Sequence, residues 1–308
     1  MRVLLTGAGG FLGSHILRRL EGGEDMHLTL LDLPGADLPR GMRRIRCDLS
    51  DQEATVESLQ GRTYDVLIHL FELRGRYDYA RLQTANALGT RNLLMALEDR
   101  VSRAVIAGSW TVYGEVIGDD SLDELSYVDP ASAYGRSMAA REALAREMAG
   151  LYGTEISILR LFSLVGPGQS PAEPVSGMAR ELAEIKLRQR APRMHTGPLD
   201  VRRDYVDVRD AARAFTAAMS HSGPIPERMN VASGRARSRR ELLQAMAGSL
   251  GVDPEVEEER GSGPLMVRGD AALVKRTLGW KAEIPLSRTL ADVIREWIRA
   301  LRAPSSGR

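Results

Sequence analysis

Two hydroxyl-bearing side chains stand where this sequence could perform acid–base chemistry. Ser109 follows the apolar run Ala104–Ala107, which predicts a strand, and Tyr134 lies about twenty-five residues further on, where a helix is expected to begin. A tyrosine hydroxyl can exchange a proton with a substrate oxygen, and a serine hydroxyl can share that oxygen. On spacing alone, an ordinary amphipathic residue at a helix start is the simpler interpretation of Tyr134, so the pair needs support from the elements around it.

The amino-terminal segment has the spacing of a dinucleotide-binding turn. The strand Arg2–Thr6 runs into a glycine-rich turn, after which the helix Ser14–Leu20 is expected. A second strand, His27–Leu31, ends on Asp32. The glycines permit a tight turn, close approach of a pyrophosphate and close packing of the helix, and they are Gly7, Gly10 and Gly13. Asp32 would accept hydrogen bonds from the adenosine ribose, and its charge favours NAD(H) over NADP(H), since no arginine follows it.

Composition sets the broad class of the protein. The 308 residues are 43% hydrophobic and 27% charged, with a formal net charge of +1. This balance gives no electrostatic reason to expect nucleic acid or a membrane surface as a partner. Cys47 is the only cysteine, which excludes a disulfide framework and a thiolate metal site, and the histidine spacing suggests no metal site. A cytoplasmic protein is the expectation.

Strand-like and helical runs alternate through the first half of the chain, which predicts an α/β fold with a Rossmann-type, doubly wound parallel sheet. Residues 1–162 are expected to form the NAD-binding domain, and residues 163–308 mainly a smaller substrate domain, with a disordered tail from about residue 303. The other predicted strands are Arg43–Arg46, Tyr64–Leu70 and Ile156–Leu161, and the other predicted helices are Asp51–Leu59, Tyr79–Leu97, Ala139–Tyr152, Val208–Met219, Ser238–Leu250, Ala271–Leu278 and Leu286–Leu301.

Six segments spread over nearly the whole chain form an ordered set of motifs: Thr6–His15, Cys47–Leu49, Asn86–Leu94, Ser109–Gly114, Ala133–Ser137 with Glu142, and Leu278–Trp280. Through them the chain resembles extended short-chain dehydrogenase/reductases that modify sugar nucleotides, the NAD-dependent epimerase/dehydratase family. The second half is most similar to GDP-4-keto-6-deoxy-D-mannose reductases, through Gly166–Gln169, Gly197–Leu199, Arg203–Asp210 and Ile284–Leu286. An ordered set of motifs is far more specific than any one of them.

The resemblance implies a role for each matching residue. It implies Ser109 and Tyr134 as catalytic residues, with Tyr134 as proton donor. It implies that NAD(H) is bound by Gly7, Gly10, Phe11, Leu12, Gly13, Asp32, Asp48, Leu49, Leu70, Phe71, Tyr134 and Met138. It implies a nucleotide-sugar substrate, with GDP-linked sugars favoured, held by Ser109, Trp110, Thr111, Ser163, Arg203 and Arg260. Arg203 and Arg260 would be the phosphate ligands, and many relatives form homodimers through helices that correspond to Tyr79–Leu97 and Ala139–Tyr152.

Departures from the family pattern cluster around one pocket. Met138 replaces the lysine that lowers the tyrosine pKa and holds the nicotinamide ribose, and Ser163 replaces an asparagine. The pair Phe71 and Glu72 replaces two small residues, and Trp110 with Thr111 replaces the acid–base set of the related 4,6-dehydratases, which disfavours elimination chemistry.

Arg141 lies two helical turns after Tyr134. A solvated arginine is the favoured interpretation of this residue, and a substitute for the missing lysine is the alternative. Three hypotheses follow for the whole chain: a 4-keto-6-deoxyhexose reductase, a sugar-nucleotide 4-epimerase, and a binding protein without catalysis.

Overall fold

The computed structural model describes residues 1–21, 25–114, 121–259 and 266–303. The strands are β1 Arg2–Thr6, β2 His27–Asp32, β3 Arg43–Arg46, β4 Tyr64–His69, β5 Val101–Ser109, β6 Glu155–Leu161, β7 Ser163–Val165, β8 Arg193–Thr196, β9 Arg202–Asp207, β10 Arg228–Val231, β11 Ala236–Ser238, β12 Glu255–Glu258 and β13 Met266–Val267. The helices are α1 Phe11–Leu20, α2 Gln52–Leu59, α3 Tyr79–Leu82, α4 Gly89–Leu97, α5 Ala133–Tyr152, α6 Pro174–Lys186, α7 Val208–Ser220, α8 Arg239–Leu250, α9 Ala272–Leu278 and α10 Leu286–Arg302. The predicted disordered tail beyond residue 303 and the predicted ligand Arg260 lie outside these described residues.

The main sheet of the described chain has seven parallel strands in the order β10-β6-β5-β4-β1-β2-β3. The direction of winding reverses between β1 and β4. In open sheets of this type, ligands bind in the crevice beyond the carboxyl ends of the strands at this reversal. The predicted doubly wound parallel sheet is therefore confirmed, and it brings the ends of β1, β4 and β5 to one edge.

Alternating side chains of the sheet form two apolar layers. Val3 and Leu5 of β1 pack into the core on the side of α1 and α7. Leu4 points into the other core, with Leu93 of α4 and Ala145 of α5. The period of two along a strand explains this division, and both faces are apolar because helices cover both.

The second half of the chain contributes to two regions. Helix α7 packs on α1, and β10 extends the main sheet beside β6. The remaining elements form a smaller region, in which α6, α8 and α10 enclose a third apolar cluster, β9 carries β7, β11 and β13 as neighbours, and β8 pairs with β12. No helix in the described ranges has the length and apolarity required to cross a membrane.

Two predicted helices differ in detail from the structure. The sequence predicts one helix over Tyr79–Leu97, and the structure inserts a π-helical segment, Gln83–Leu88, between α3 and α4. Helix α5 begins at Ala133, with Ser132 as its N-cap, which agrees with the helix start expected at Tyr134 and extends the predicted range Ala139–Tyr152 at its amino end. Both differences concern the candidate site, because the π segment carries Asn86 and the first turn of α5 carries Tyr134.

Candidate active site

The glycine turn leaves a cradle at the amino end of α1. Gly7 has a φ of +70°, which favours glycine, and a Cβ at Gly13 would lie only 2.1 Å from the carbonyl oxygen of Gly7. Gly10 caps the helix without a side-chain bond, so the N–H groups of Phe11, Leu12 and Gly13 remain available to an anion. This arrangement fits the pyrophosphate of a dinucleotide, for which the positive end of the helix supplies electrostatic attraction.

Asp32 is nearly buried at the end of β2 and already supports the turn. Its Oδ2 accepts the Gly9 N–H at 2.9 Å, and its Oδ1 accepts the Leu33 N–H at 2.9 Å. Each oxygen keeps capacity for a further hydrogen bond, so the carboxylate can still receive the hydroxyls of a ribose. Arg46 stands in register with Asp32 on β3, and its guanidinium donates to the Ala36 carbonyl oxygen at 3.1 Å. Sequence reasoning found no arginine next to Asp32 because this one comes from the neighbouring strand.

The other predicted cofactor residues lie along the same edge of the sheet. Asp48 follows β3 and binds the amide and hydroxyl of Ser50, while Leu49 is buried and its carbonyl oxygen accepts from Asn92. Leu70 and Phe71 follow β4, and the Leu70 amide donates to the Thr6 hydroxyl at 3.2 Å. Contact of these residues with a bound dinucleotide stays a prediction.

Ser109 ends β5, as the sequence predicts. Its hydroxyl accepts the Thr111 N–H at 3.2 Å and lies 2.9 Å from the Thr111 hydroxyl, at the start of a 3₁₀ turn over Trp110–Tyr113. The start of α5 packs directly on this turn, because a Cβ at Gly135 would lie 2.5 Å from the Thr111 carbonyl oxygen. The fold thus brings the first turn of α5, with Tyr134, against the segment that begins with Ser109.

The hydroxyl of Tyr134 donates to Oε2 of Glu72 at 2.8 Å. Arg74 lies beside the pair, with its Nε 3.5 Å from Oε1 of Glu72 and its guanidinium 5.8 Å from the centre of the Tyr134 ring. Burial, and next the negative charge of Glu72, raise the pKa of Tyr134 well above its ordinary value. Tyr134 is therefore protonated at neutral pH. Sequence reasoning noted Glu72 only as a departure from the family pattern.

The loop that carries Glu72 is held by an asparagine in the π segment. Asn86 is buried, its Oδ1 accepts the Leu73 N–H at 2.6 Å, and its Nδ2 donates to the Leu73 carbonyl oxygen at 3.0 Å. Nδ2 also donates to the hydroxyl of Ser137, 3.0 Å away, which in turn donates to the Tyr134 carbonyl oxygen. One side chain therefore fixes Glu72 relative to Tyr134. A π segment at a functional site is a common device for presenting a single residue.

Met138 and Arg141 share a face of α5, and both are buried. Met138 is fully buried in the apolar core. Arg141 is only 1% exposed, so the expectation of a solvated arginine is wrong. The sequence places Arg141 on the Tyr134 face, but it does not show that the carboxyl end of β4 covers that face. The guanidinium Nη2 donates to the His69 carbonyl oxygen at 3.3 Å.

The predicted phosphate ligand Arg203 lies on β9, with its guanidinium 5.2 Å from the centre of the Trp110 ring. Burial, and next the positive charge of Arg239, lower the pKa of Arg203 to about 10. Two guanidinium groups that repel each other are suited to bind a multiply charged anion, and we call Arg203, Arg239 and Trp110 the anion pocket. Sequence reasoning missed Arg239, which is the first residue of α8. Ser163 lies in register with Tyr205, two residues after Arg203, on the neighbouring strand.

The fold and the site together define an extended short-chain dehydrogenase/reductase. The protein belongs to the NAD dependent epimerase/dehydratase family, whose profile matches residues 3–232. It is 30% identical to a GDP-6-deoxy-D-mannose reductase of Pseudomonas aeruginosa over 98% of both chains.

Two solved structures are similar in fold over almost the whole chain. The structure of RMD from Pseudomonas aeruginosa complexed with NADPH is 29% identical, with a TM-score of 0.85 over 97% of this chain and 99% of that chain. MoeE5 in complex with UDP-glucose and NAD is 28% identical, with a TM-score of 0.85 over 98% of this chain and 100% of that chain.

Proposed function

We propose that this protein uses NADH to reduce the 4-keto group of a nucleotide-linked 6-deoxyhexose. The observation that carries the proposal is the state of Tyr134, whose hydroxyl donates to the Glu72 carboxylate at 2.8 Å, with the apolar Met138 one turn away. A tyrosine held protonated is suited to give a proton, which is the requirement of a reduction. An enzyme that begins with oxidation needs the phenolate first.

The residues divide the reaction between them. When bound, the reduced nicotinamide supplies a hydride to the carbonyl carbon. Ser109 is placed to donate a hydrogen bond to the carbonyl oxygen and polarise it, since it ends β5 next to the first turn of α5. Tyr134 then gives its proton to the same oxygen, which completes the alcohol.

The anion pocket supports a nucleotide diphosphate as the invariant part of the substrate. Arg203 and Arg239 lie close enough for the charge of one to shift the pKa of the other, and Trp110 offers a ring face beside them. A diphosphate would relieve this repulsion through charge-assisted hydrogen bonds. GDP is the favoured nucleotide because the relative from Pseudomonas aeruginosa is named as acting on a GDP-linked sugar.

A 4-epimerase is the second candidate, because a relative that is 27% identical over 96% of this chain is named a UDP-glucose 4-epimerase. An epimerase regenerates its cofactor, whereas a reductase consumes one NADH for each product. Net oxidation of NADH therefore separates the two activities.

The test combines binding with turnover. We expect calorimetric titration to show binding of NADH, and of GDP rather than UDP in its presence, and we expect the protein to oxidise NADH with a GDP-4-keto-6-deoxyhexose. Replacement of Tyr134 by Phe should abolish turnover. Binding without turnover would favour a non-catalytic binding protein, and failure to bind any dinucleotide would remove the enzyme proposal altogether.

The proposal also covers the oligomeric state, the division of the chain between cofactor and substrate, and the cellular location. We propose a homodimer that pairs through the ranges Tyr79–Leu97 and Ala139–Tyr152, as many relatives of the family do; Leu88 and Leu151 are exposed apolar residues within these ranges. We propose a division of labour at residues 162/163, with NAD bound by the first part and the sugar nucleotide mainly by the second, since Arg203 and Arg239 both come from the second. A cytoplasmic location is proposed because composition and helices give no sign of a membrane association.

A further inference from the structure

No cation stands one helical turn after Tyr134, at position 138, where a side chain of the same helix would lie near the tyrosine. The residue one turn later is Met138, which is fully buried and packed among apolar side chains. A thioether carries no charge and cannot stabilise a phenolate. If Tyr134 gives up its proton, the positive charge that offsets the phenolate must come from another residue.

Arg141 is a buried cation with unused hydrogen-bonding capacity. Its Nη2 donates to the His69 carbonyl oxygen at 3.3 Å, but its Nε and Nη1 have no hydrogen-bond partner. Burial lowers the pKa of Arg141 to about 10, so the guanidinium is still charged at neutral pH. A buried charge with unsatisfied N–H groups is unfavourable for folding, and it therefore calls for a functional explanation.

The neighbours of Arg141 leave few charges to balance it. Glu142 is the adjacent carboxylate, but both of its oxygens bind the buried Arg160, at 2.9 and 2.6 Å. His69 is neutral, because burial and then the charge of Arg141 lower its pKa well below its ordinary value. The opposite charges that act on Arg141 are Glu72, then Tyr134 once it ionises, and to a smaller extent Glu142.

Glu72 is shared with a more exposed arginine. Arg74 contacts Glu72 at 3.5 Å and Glu173 at 4.0 Å, and its side chain is 57% exposed. Water screens such a surface charge, whereas a fully buried guanidinium acts with little screening. Arg74 and Arg141 both lower the pKa of Tyr134, Arg74 by more, and Arg141 differs from Arg74 in being fully buried.

We propose that Arg141 is a positioning residue that replaces the missing lysine at position 138, and that Glu72 holds the Tyr134 hydroxyl until substrate is bound. In the proton-transfer step the hydroxyl turns from Glu72 to the substrate oxygen, which takes the electron pair of the C=O bond as hydride adds to the carbon. The O–H bond of Tyr134 then breaks, the proton joins the substrate oxygen, and the electron pair stays on the phenolate, which Arg141 stabilises. Solvent then returns a proton to Tyr134 beside Glu72, whose side chain is 21% exposed. The inference rests on the proposed function only for the identity of the substrate.

The first test measures Tyr134 directly and requires neither cofactor nor substrate. Phenolate absorbance is titrated with pH in the whole protein, and the spectrum of Tyr134→Phe is subtracted to isolate one of the eight tyrosines. Arg141→Met should move the ionisation of Tyr134 to higher pH by about one unit, the usual effect of a nearby opposite charge. Glu72→Gln should move it to lower pH. Arg146→Met is the control, since Arg146 lies on the same helix but pairs with Glu227 at the surface.

The second test separates positioning from structure through kinetics. Arg141→Met should lower kcat about tenfold, the equivalent of one pKa unit, with the KM for NADH unchanged. Adding Met138→Lys to that variant should restore both kcat and the ionisation of Tyr134. The Tm of the single variant Arg141→Met should not fall, because methionine has a similar length and removes an unsatisfied buried charge.

Different results would overturn the proposed role of Arg141 and the proposed reductase function. Unchanged ionisation of Tyr134 in Arg141→Met, or no recovery with Met138→Lys, would overturn the role of Arg141 even if the protein reduces its substrate. Shifted ionisation without any turnover of a sugar nucleotide would support Arg141 and overturn the function. If Arg141→Met does not fold, Met138→Lys in the otherwise unchanged chain decides: a second cation should add little where Arg141 already acts, and a large gain in kcat would contradict the proposal.

Discussion

At the scale of single residues, the proposed chemistry depends on the charge state of Tyr134. Burial raises the pKa of Tyr134 most, Glu72 raises it further, and Arg74 and then Arg141 lower it by less. The balance keeps the hydroxyl protonated, which suits a proton donor. The same balance determines how the protein should respond to pH.

Because the pKa of Tyr134 is raised, we expect no loss of reductase activity from ionisation of Tyr134 between neutral pH and about pH 10, the ordinary tyrosine value. The free energy of unfolding should fall only above that pH, since the folded protein holds this proton more tightly than the unfolded chain does. Met138→Lys should shift the alkaline fall in kcat to lower pH. Initial rates of NADH oxidation across the pH range measure the two effects on activity, and denaturation at each pH measures the free energy of unfolding. An alkaline fall in rate centred near neutrality in the unaltered protein would contradict the prediction.

Cofactor preference is the second property that single residues decide. Asp32→Asn should raise the rate with NADPH relative to NADH about tenfold, because it removes the charge that repels a 2′-phosphate while Arg46 stays in register nearby. The ratio of kcat/KM for the two cofactors is the measurement. Adding Arg46→Gln should cancel the gain. Asp37→Asn, in the exposed loop after β2, serves as the control and should leave the ratio unchanged.

The third prediction at this scale concerns the anion pocket. Arg239→Gln should weaken substrate binding by about 2 kcal/mol, the usual value of a hydrogen bond to a charged group, so that KM for the sugar nucleotide rises at least about tenfold. Arg240 is the matched control, because it follows in the chain but binds Asp200 and Glu258 at the surface. Equal effects of Arg239→Gln and Arg240→Gln on KM would exclude a diphosphate contact by Arg239.

At the scale of elements, the site depends on how closely the start of α5 approaches the end of β5. A Cβ at Gly135 would meet the Thr111 carbonyl oxygen at 2.5 Å, and backbone cannot give way as a flexible side chain would. Glycine at this position therefore sets the spacing between Tyr134 and Ser109. Asn86 sets the position of Glu72 relative to Tyr134, because it fixes the loop that carries Glu72.

Gly135→Ala should accordingly lower both the Tm and kcat, by pushing the first turn of α5 away from the 3₁₀ turn after Ser109. Gly150→Ala is the matched control on the same helix, since a Cβ there meets nothing within 4 Å. The control should instead stabilise the protein by about 0.5–1 kcal/mol, the usual gain of alanine over glycine in a helix. Thermal unfolding and NADH oxidation measure the two variants. Equal behaviour of both would show that the contact at Thr111 does not constrain the site.

Elements and motifs differ in how far the sequence reveals them. The strand Arg2–Thr6, the glycine turn and Asp32 are predictable because their signal is local: an apolar run, residues free to adopt special backbone angles, and a polar strand end. The contact of Tyr134 with Glu72 joins residues 62 positions apart and has no local signal. The burial of Arg141 depends likewise on which strand covers its helix face, and helical spacing alone cannot tell a buried arginine from a solvated one.

At the scale of the whole molecule, buried acids tie separate segments of the second half to one another. Asp204 accepts from the amides of Ser233, Gly234 and Gly269. Asp210 accepts from the amides of Glu283 and Ile284, and its carbonyl oxygen accepts from the indole of Trp280. Each acid satisfies several backbone donors. Asp204 and Asp210, two of the acids that follow Arg203 in the matching segment Arg203–Asp210, are thus structural anchors. The second half is held to the first by the packing of α7 on α1 and by the pairing of β10 with β6.

The oligomeric state is the remaining whole-molecule property that the surface predicts. Leu88, in the π segment, is 41% exposed, and Leu151, in the last turn of α5, is 66% exposed, although both lie on helices of the outer layer. Exposed apolar side chains on adjacent helices are typical of a protein interface. We expect a dimer by light scattering, with Leu88→Glu and Leu151→Glu each shifting it to monomer, because a buried unpaired charge opposes association. Leu125→Glu is the control: this side chain is 93% exposed but lies outside the helices, and its replacement should leave the dimer intact. If the unaltered protein is a monomer at micromolar concentration, the proposed interface is wrong. If all three variants lose the dimer, the interface is not confined to the two helices.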